Sequence, residues 1–345
     1  MEQRPIGEAR PRRRRLPMIV GIGVALLAVG WTAVWATARS RVLAEIDARL
    51  EGLAARGVVV ACADRAVGGF PFRMELSCAA PGVEIRDLGI TASAAALRVV
   101  AQVWDPKLVL IEIDGSAAAR DPSGETAASW RTLRASLRWS GRAVERVSIA
   151  AEGLDVTTRP NGRPPVRLVA AHLEAHGRPN GERGSDLDLA ASATAAAFSI
   201  DGKRLGPPTA NASFGFTLRD ILPPGPGPAL PAFAARGGRI EPARVGLAVG
   251  ELKLDGAGAL RLDEKGVLDG SITLTALGLE GLAKGGGKEL GPELTAVFTG
   301  FLLLGKPPTE PGTPGRRLEM VVDHGLVRIA RLTLGRLPPL FGSLE

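Results

Sequence analysis

Cys62 and Cys78 are the only two cysteines of the chain, and their spacing limits the chemistry they can do. A redox pair of the C-x-x-C type would place them much closer, and a zinc site would need further ligands nearby. A disulfide between them would close a loop of about 17 residues and stabilise the fold by about 3 kcal/mol in the chain-entropy model. We therefore predict a structural disulfide and, with it, an oxidising compartment for this part of the chain.

His172, Glu174 and His176 alternate along a predicted strand, so all three side chains could point to the same side. Such a row could hold a metal ion, with His324 as a distant fourth ligand. The spacing is not that of the helical H-E-x-x-H site, however, and three solvated polar residues on an outer face explain it at least as well. We predict no metal site.

The glycine-rich segment 285–288 has only a superficial likeness to a phosphate-binding loop. It lacks the upstream glycine of that motif, and Glu289 follows Lys288 where serine or threonine is required. The chain has neither a G-x-S-x-G nucleophile elbow nor a G-x-G-x-x-G loop that opens a helix. The sequence therefore predicts no catalytic residue and no cofactor, and we expect a protein that is not an enzyme.

The first 38 residues combine a basic tail with a long uncharged segment. Residues 1–15 contain six arginines and two glutamates, so they hold four of the seven net positive charges of the chain. Residues 16–38 carry no charge, and as a helix they would span about 34 Å, enough to cross a bilayer. Because basic residues favour the cytoplasmic side, this order predicts a cytoplasmic tail, a transmembrane anchor and an exported remainder.

A cleaved signal peptide is the alternative, since Ala36, Thr37 and Ala38 form a small-residue sequence of the kind found at cleavage sites. The uncharged segment is longer than the usual signal core of about 7 to 15 residues, which favours an uncleaved anchor. Beyond the tail the chain is close to neutral, so its net charge does not indicate nucleic-acid binding. We expect a single-pass protein whose main domain lies in the periplasm or its equivalent.

Beyond the anchor, the hydrophobic pattern predicts one helix followed by many strands. Residues 39–57 have an apolar stripe of helical period and end at Gly57, a typical C-cap. From residue 58 onward apolar and polar residues alternate, as in strands with one buried and one wetter face. Asn-Gly or Asp-Gly dipeptides at positions 114, 161, 180, 201, 255 and 269 indicate tight turns. The predicted fold is mainly β: an extended, curved antiparallel sheet, groove-like or sandwich-like, with a few short helices.

Residues 221–231 contain five prolines and cannot form a central strand or a helix, so they mark an internal boundary. We divide the exported part into a β-rich region at 58–220, a proline-rich linker at 221–231 and a second β-rich region at 232–345. A helix is predicted near 293–304, where Phe298 and Phe301 belong to one apolar face. The apolar segment 337–341 could pack on the body or dock a partner.

The most distinctive segment of the chain, the 68–73 motif, consists of Gly68, Gly69, Phe70, Pro71, Phe72 and Arg73. Together with the upstream cysteine and the anchor, it resembles the domain-of-unknown-function 2125 family of bacterial membrane-anchored exported proteins. Phe70 stands where many members have tyrosine. The resemblance implies a bacterial inner-membrane location. It carries no catalytic residues, because that family has no established activity. From the residues themselves, we expect the glycines to permit a tight turn and both phenylalanines to anchor the core face.

The hairpins near 254–272 and the segment 325–339 are similar to the repeats of AsmA-like proteins. That group forms long curved sheets on an inner-membrane anchor and is associated with lipid movement across the envelope. We therefore predict a non-enzymatic envelope protein that binds lipid or another amphiphile on its sheet, while a closed core would also explain an apolar face. The alternative function is a structural or assembly factor that recruits envelope proteins through the proline-rich linker and the apolar segment 337–341.

Overall fold

A computed structural model describes residues 15–141, 143–222, 229–279, 291–308, 315–329, 332–337 and 339. The basic tail up to residue 14, the glycine-rich segment 285–288, most of the proline-rich linker and most of the segment 337–341 lie outside the described residues. The described part begins with a long helix and continues as a sheet with two shorter helices.

α1 (Arg15–Ala54) is one helix of 40 residues. The predicted anchor at 16–38 and the predicted helix that follows it are therefore continuous. Residues 17–54 contain a stretch apolar enough to cross a membrane, and its side chains are not buried, which indicates a membrane anchor or signal instead of a core helix. Gly57 follows with a φ of 80°, and its N–H donates to the Ala54 carbonyl, as the predicted C-cap requires.

A single antiparallel sheet of 16 strands follows α1, which confirms the mainly-β prediction. Strand order follows chain order, except that β5 and β6 together occupy the place between β4 and β7. The strands are β1 (Val58–Gly68), β2 (Arg73–Ile85), β3 (Ile90–Gln102), β4 (Asp105–Asp121), β5 (Gly124–Ser129), β6 (Thr132–Ser140), β7 (Ala143–Pro160), β8 (Val166–Pro179), β9 (Leu187–Ile200), β10 (Lys203–Arg219), β11 (Gly238–Val249), β12 (Leu252–Leu262), β13 (Leu268–Leu277), β14 (Arg316–Asp323), β15 (Leu326–Ile329) and β16 (Leu332–Arg336).

Two further helices interrupt the second half of the sheet, α2 (Ala229–Ala235) and α3 (Gly291–Leu304). The first begins inside the predicted linker 221–231, so the expectation that this segment forms no helix is wrong for its last three residues. The second of these confirms the helix predicted near 293–304. β10 pairs with β11 on either side of the proline-rich linker, with Arg219 opposite Arg239. The two predicted β-rich regions thus share one sheet.

The dipeptide turn signals have mixed outcomes. Asp201 and Gly202 form the two-residue turn between β9 and β10, both with positive φ. The dipeptides at 161 and 180 lie in longer connections, and those at 114, 255 and 269 lie inside β4, β12 and β13, where the hairpin prediction is wrong. Packing explains one of these glycines, because a Cβ on Gly256 would lie 2.5 Å from Leu274 Cδ2 and 2.7 Å from Val245 Cγ2.

The connections between strands lie alternately at two ends of the sheet. The β1–β2, β3–β4, β6–β7, β8–β9 and β10–β11 connections share one end, which we call the near end, and the β2–β3, β7–β8 and β9–β10 connections share the far end. α1 runs beside β1 in the opposite direction, since Arg39 Nε donates to the Val67 carbonyl at 2.8 Å and Arg65 pairs with Asp47. The near end of the sheet therefore lies beside the apolar part of α1.

Candidate functional site: an apolar face of the sheet

One face of the sheet is apolar from strand to strand. Residues paired directly across neighbouring strands share a face, so the register defines continuous rows of side chains. One such row across β4, β6, β7, β8, β9 and β10 consists of Ile111, Ala135, Ile149, Ala175, Ala191 and Phe214. We call this side of the sheet the apolar face.

Helices cover the apolar face in the C-terminal part of the sheet. Phe298 and Phe301 of α3 are buried in a core cluster with Ile272 and other residues of β12, β13 and β14. Phe233 of α2 is buried in a second cluster with residues of β10, β11 and β12. A Cβ on Gly238 would lie 2.3 Å from the ring of Phe233, so glycine is needed for this close approach. This half of the face is a closed core.

The apolar face remains open across β7 to β10. Val147, Ile149 and Phe214 are between 37% and 50% exposed. They border a cavity of about 1280 Å³ that opens to solvent, which we call the apolar groove. The rings of Phe214 and Phe216 stack along one side with centroids 6.3 Å apart. Its apolar lining includes Ala143, Val144, Val147, Ile149, Ala175, Leu187, Leu189, Ala191, Phe214, Phe216 and Leu222.

A buried carboxylate fixes the near end of the groove. Asp186, in the β8–β9 connection, is fully buried and accepts hydrogen bonds from Arg219 Nη1 and the Asp220 backbone N–H, each at 2.8 Å. Burial raises the pKa of Asp186, but these bonds outweigh it and hold the pKa below the ordinary value. The Leu222 N–H also donates to the Ser185 carbonyl at 2.9 Å. The β8–β9 connection and the segment after β10 are thereby held together beside the groove.

The opposite face of the sheet carries a row of ion pairs. Glu75 contacts Arg73 at 2.9 Å and Arg98 at 3.4 Å, and Glu112 contacts Arg98 at 3.7 Å and Arg134 at 3.0 Å. These pairs are partly exposed, so each adds little stability. Their main consequence is that this face is strongly hydrated, and we call it the polar face.

The three predicted strand residues with metal-ligating side chains lie together on the polar face. His172 Nδ1 lies 2.6 Å from Glu152 Oε1 and its Nε2 lies 2.9 Å from Glu174 Oε1, while His176 Nε2 lies 3.5 Å from Glu174 Oε2. The Glu152 and Glu174 carboxylates raise the pKa of His172 by hydrogen bonding. His324 is not part of this group. It lies at the β14–β15 turn and contacts Asp269 and Asp323. The contacts are those of a surface ion-pair network.

The 68–73 motif forms the turn between β1 and β2 and contacts α1. Trp31 Nε1 donates to the Pro71 carbonyl at 3.0 Å, and the ring of Trp35 packs edge-on against Phe70 with centroids 5.4 Å apart. Phe70 and Phe72 are mostly exposed in this turn, so the expectation that they anchor the core face is wrong. The strand begins only at Arg73, because the turn occupies the preceding residues.

Cys62 and Cys78 lie on β1 and β2, the two strands that this turn joins. Their sulfur atoms are 2.08 Å apart and their Cα atoms 5.4 Å apart, which is the geometry of a bonded pair. The pair joins the first hairpin of the sheet covalently.

Comparison with known proteins gives one match. A family model described as an uncharacterized protein conserved in bacteria, DUF2125, matches residues 35–338. The chain belongs to this family. The DUF2125 match covers the C-terminal part of α1 and the sheet, and so includes both the 68–73 motif and the apolar groove. No curated protein and no solved structure matches the chain.

Sequence reasoning missed two parts of this DUF2125 site. It gave no indication that Trp31 and Trp35 contact the 68–73 motif, since nothing local in the sequence links residues so far apart. It allowed for a groove-like sheet but did not locate the groove, although Phe214 and Phe216 alternate with other residues as in a strand. The covered half and the open half of the apolar face have the same alternation of apolar and polar residues. Only the positions of α2 and α3 distinguish one half from the other.

Proposed function

We propose that this protein holds a lipid or a similar amphiphile by its acyl chains in the apolar groove, beside the membrane, without catalysing a reaction. The observation that carries the proposal is the contrast within the apolar face. α2 and α3 bury one half, whereas Val147, Ile149 and Phe214 of the other half stay open to solvent. Large contiguous apolar surfaces of this kind typically serve ligands or partners.

The position of the groove favours a ligand that comes from the bilayer. Ala143, Val144 and Leu222 line it at the near end of the sheet. The same end carries the turn that accepts a hydrogen bond from Trp31 of α1. A lipid that leaves a membrane spanned by α1 would therefore meet this end of the groove first.

The chemistry of the groove suits acyl chains. Burial of about ten methylene groups would contribute about 8 kcal/mol. That free energy corresponds to a dissociation constant of about 1 μM, before the cost of ordering the chain is subtracted. Binding of this strength allows a lipid to be held and released, and it needs no catalytic group.

Site-specific photocrosslinking tests the proposal on the full chain in native membranes. A benzophenone amino acid at Ile149 faces the apolar groove, whereas the same group at the adjacent Ser148 faces the polar face. Cells grown with an alkyne-bearing fatty acid provide labelled lipids. We expect lipid adducts after irradiation at position 149 and far fewer at 148.

Equal adduct yields at positions 148 and 149, or none at 149, would contradict a lipid-binding groove. A second variant, Phe214→Asp, introduces a charge into the groove at a half-exposed position. It should reduce the adduct at position 149 while the protein level stays the same. An undiminished adduct in that variant would assign the crosslink to lipids at the sheet surface outside the groove.

We propose that the chain is anchored in a bacterial inner membrane with its sheet in the periplasm. Three features support this orientation: the arginine-rich tail precedes the apolar segment, the cysteine pair stands at bonding distance, and the family is bacterial. Protease treatment of spheroplasts tests it. Digestion of the sheet in intact spheroplasts agrees with the proposal, and protection until the membrane is lysed contradicts it.

The alternative function, recruitment of envelope proteins, rests on the proline-rich linker and the segment 337–341. Most of both segments lies outside the described residues. No contact within the described part favours this function over lipid binding.

A further inference from the structure

The near end of the sheet carries a second apolar feature, separate from the groove. Phe70, Phe72 and Trp104 are 50%, 61% and 68% exposed, and the ring centroids of Phe72 and Trp104 are 6.3 Å apart. The Val103 N–H donates to the Phe72 carbonyl at 3.1 Å, so the β1–β2 and β3–β4 turns form one unit. We call this unit the aromatic tip. Exposed aromatic clusters of this kind typify surfaces that meet a partner or a lipid interface.

The contacts with α1 fix the depth of the aromatic tip along the helix. Trp31 Nε1 donates to the Pro71 carbonyl at 3.0 Å, and Trp35 Nε1 donates to the Arg73 carbonyl at 3.4 Å. Trp31 lies seven residues before the end of the uncharged segment at Ala38, which is about 10 Å along a helix axis. The tip is therefore level with the outer third of the segment that would cross the membrane, and it does not lie beyond it.

Part of the backbone of the tip has hydrogen-bond partners within the protein, which favours contact with a medium that contains little water. An unpaired N–H or carbonyl group costs several kcal/mol in lipid, so backbone groups there need internal partners. The Gly69 carbonyl accepts a hydrogen bond from the Arg73 N–H at 3.0 Å, which closes the turn. Pro71 has no N–H to satisfy, and the carbonyls of Pro71 and Phe72 are bonded as described above.

We propose that the aromatic tip inserts into the outer interface of the bilayer that α1 spans, as a second membrane contact of this protein. The ligand of the 68–73 motif is then the lipid interface itself. α1 and the tip together would hold the sheet upright, with the near end of the apolar groove at the membrane surface. The proposal rests on the transmembrane placement of α1 and is independent of what occupies the groove.

Fluorescent labels at four single positions test the proposal in the full chain, reconstituted into phosphatidylcholine–phosphatidylglycerol vesicles. The variants are Trp104→Cys and Phe72→Cys in the tip, Val24→Cys within α1 and Arg163→Cys at the far end of the sheet. Each is labelled with an environment-sensitive dye without reductant, so that the native cysteine pair stays bonded. Nitroxide-bearing lipids then report which labels reach the bilayer. The two tip variants serve as independent replicates, because either one could fail to fold.

We expect quenching and blue-shifted emission at positions 104 and 72 with nitroxides placed near the headgroup. Position 24 should be quenched by nitroxides placed deep in the acyl region, and position 163 should not be quenched. Labels at 104 and 72 that behave like the one at 163, while 24 is quenched, would overturn insertion of the tip and leave the anchor intact. A label at 24 that stays outside the bilayer would overturn the anchor and this proposal together, whereas lipid crosslinking at Ile149 tests the groove separately.

Discussion

Replacement of Asp186 by asparagine tests whether the buried carboxylate holds the near end of the apolar groove. Asparagine has the same shape, and its side-chain oxygen can still accept the hydrogen bond from the Asp220 N–H. It removes the negative charge that Arg219 contacts at 2.8 Å. The substitution therefore isolates the charged bond between the β8–β9 connection and β10.

The expected loss of stability is about 2 kcal/mol, because a hydrogen bond to a charged group contributes about 1.5 to 3 kcal/mol. The larger cost of about 3 to 5 kcal/mol for an unpaired buried charge does not apply. The Arg219 side chain is 26% exposed and lies 3.9 Å from Glu241, so it keeps access to water and to another carboxylate. For a domain of this size, the loss corresponds to a decrease in Tm of roughly 3 °C.

The pH dependence gives a second test of the same residue. The pKa of Asp186 is below its ordinary value of 3.8, because Arg219 and the Asp220 N–H outweigh the effect of burial. A carboxyl group whose pKa is lowered on folding adds stability above its unfolded pKa, and this stability is lost as the pH falls through the folded value. The difference between wild type and D186N should therefore be constant near neutral pH and decrease below about pH 4.

Thermal unfolding of the full chain in detergent micelles, followed by tryptophan fluorescence, measures both quantities. The matched control is Asp114→Asn, which changes an exposed carboxylate on β4 and should leave Tm almost unchanged. A D186N protein as stable as wild type at pH 7, or a stability difference that persists undiminished in acid, would refute this account of the groove. Weaker lipid crosslinking at Ile149 in D186N would further link the contact to the groove.

Three other predictions follow from the structure. Cys62→Ala should lower stability by about 3 kcal/mol through loss of the cross-link, and native protein should bind thiol reagents only after reduction. Phe301→Ala should lower the free energy of unfolding by about 3 to 5 kcal/mol, because the Phe301 ring of α3 is fully buried. Urea unfolding measures this loss. The raised pKa of His172 beside Glu152 adds stability below its unfolded pKa that is lost as the pH rises through the folded value, so His172→Gln should flatten the dependence of Tm on pH.

Each of these predictions has a clear opposing result. Free thiols in the unreduced protein would exclude the disulfide. Leu303→Ala is a control for Phe301→Ala, because it truncates a largely exposed side chain of the same helix, and equal costs for the two would show that α3 does not cover the sheet as described. An unchanged pH profile in His172→Gln would show that the ion-pair network on the polar face does not form.

The sheet could be predicted from the sequence because alternation is a local property of each strand. The helix at Gly291–Leu304 could be predicted for the same reason, since Phe298 and Phe301 lie three positions apart on one face. Tight turns were less predictable. Gly256 is a glycine because residues of two neighbouring strands approach its backbone, and this tertiary reason produces the same Asp-Gly sequence as a hairpin.

The role of the 68–73 motif could not be predicted from local pattern. Phe70 and Phe72 continue the alternation of the following strand, which indicated a core position. Their exposure follows from the turn before Arg73, and a hydrogen bond from Trp31, 40 positions away in the chain, holds this turn to α1. The position of the open groove escaped prediction similarly, because no sequence signal tells which part of an apolar face α2 and α3 will cover.

The order of the strands has a consequence for how this protein is made. Nearly every strand pairs with the one before it in the chain, so contacts are short in sequence and the sheet can extend one hairpin at a time. In the proposed periplasmic orientation, β1 to β10 would assemble as they leave a translocation pore, before α2 and α3 have been exported. The groove would thus exist, open and beside the bilayer, while the closing half of the molecule is still being delivered, and its first contact during biogenesis would be with the membrane.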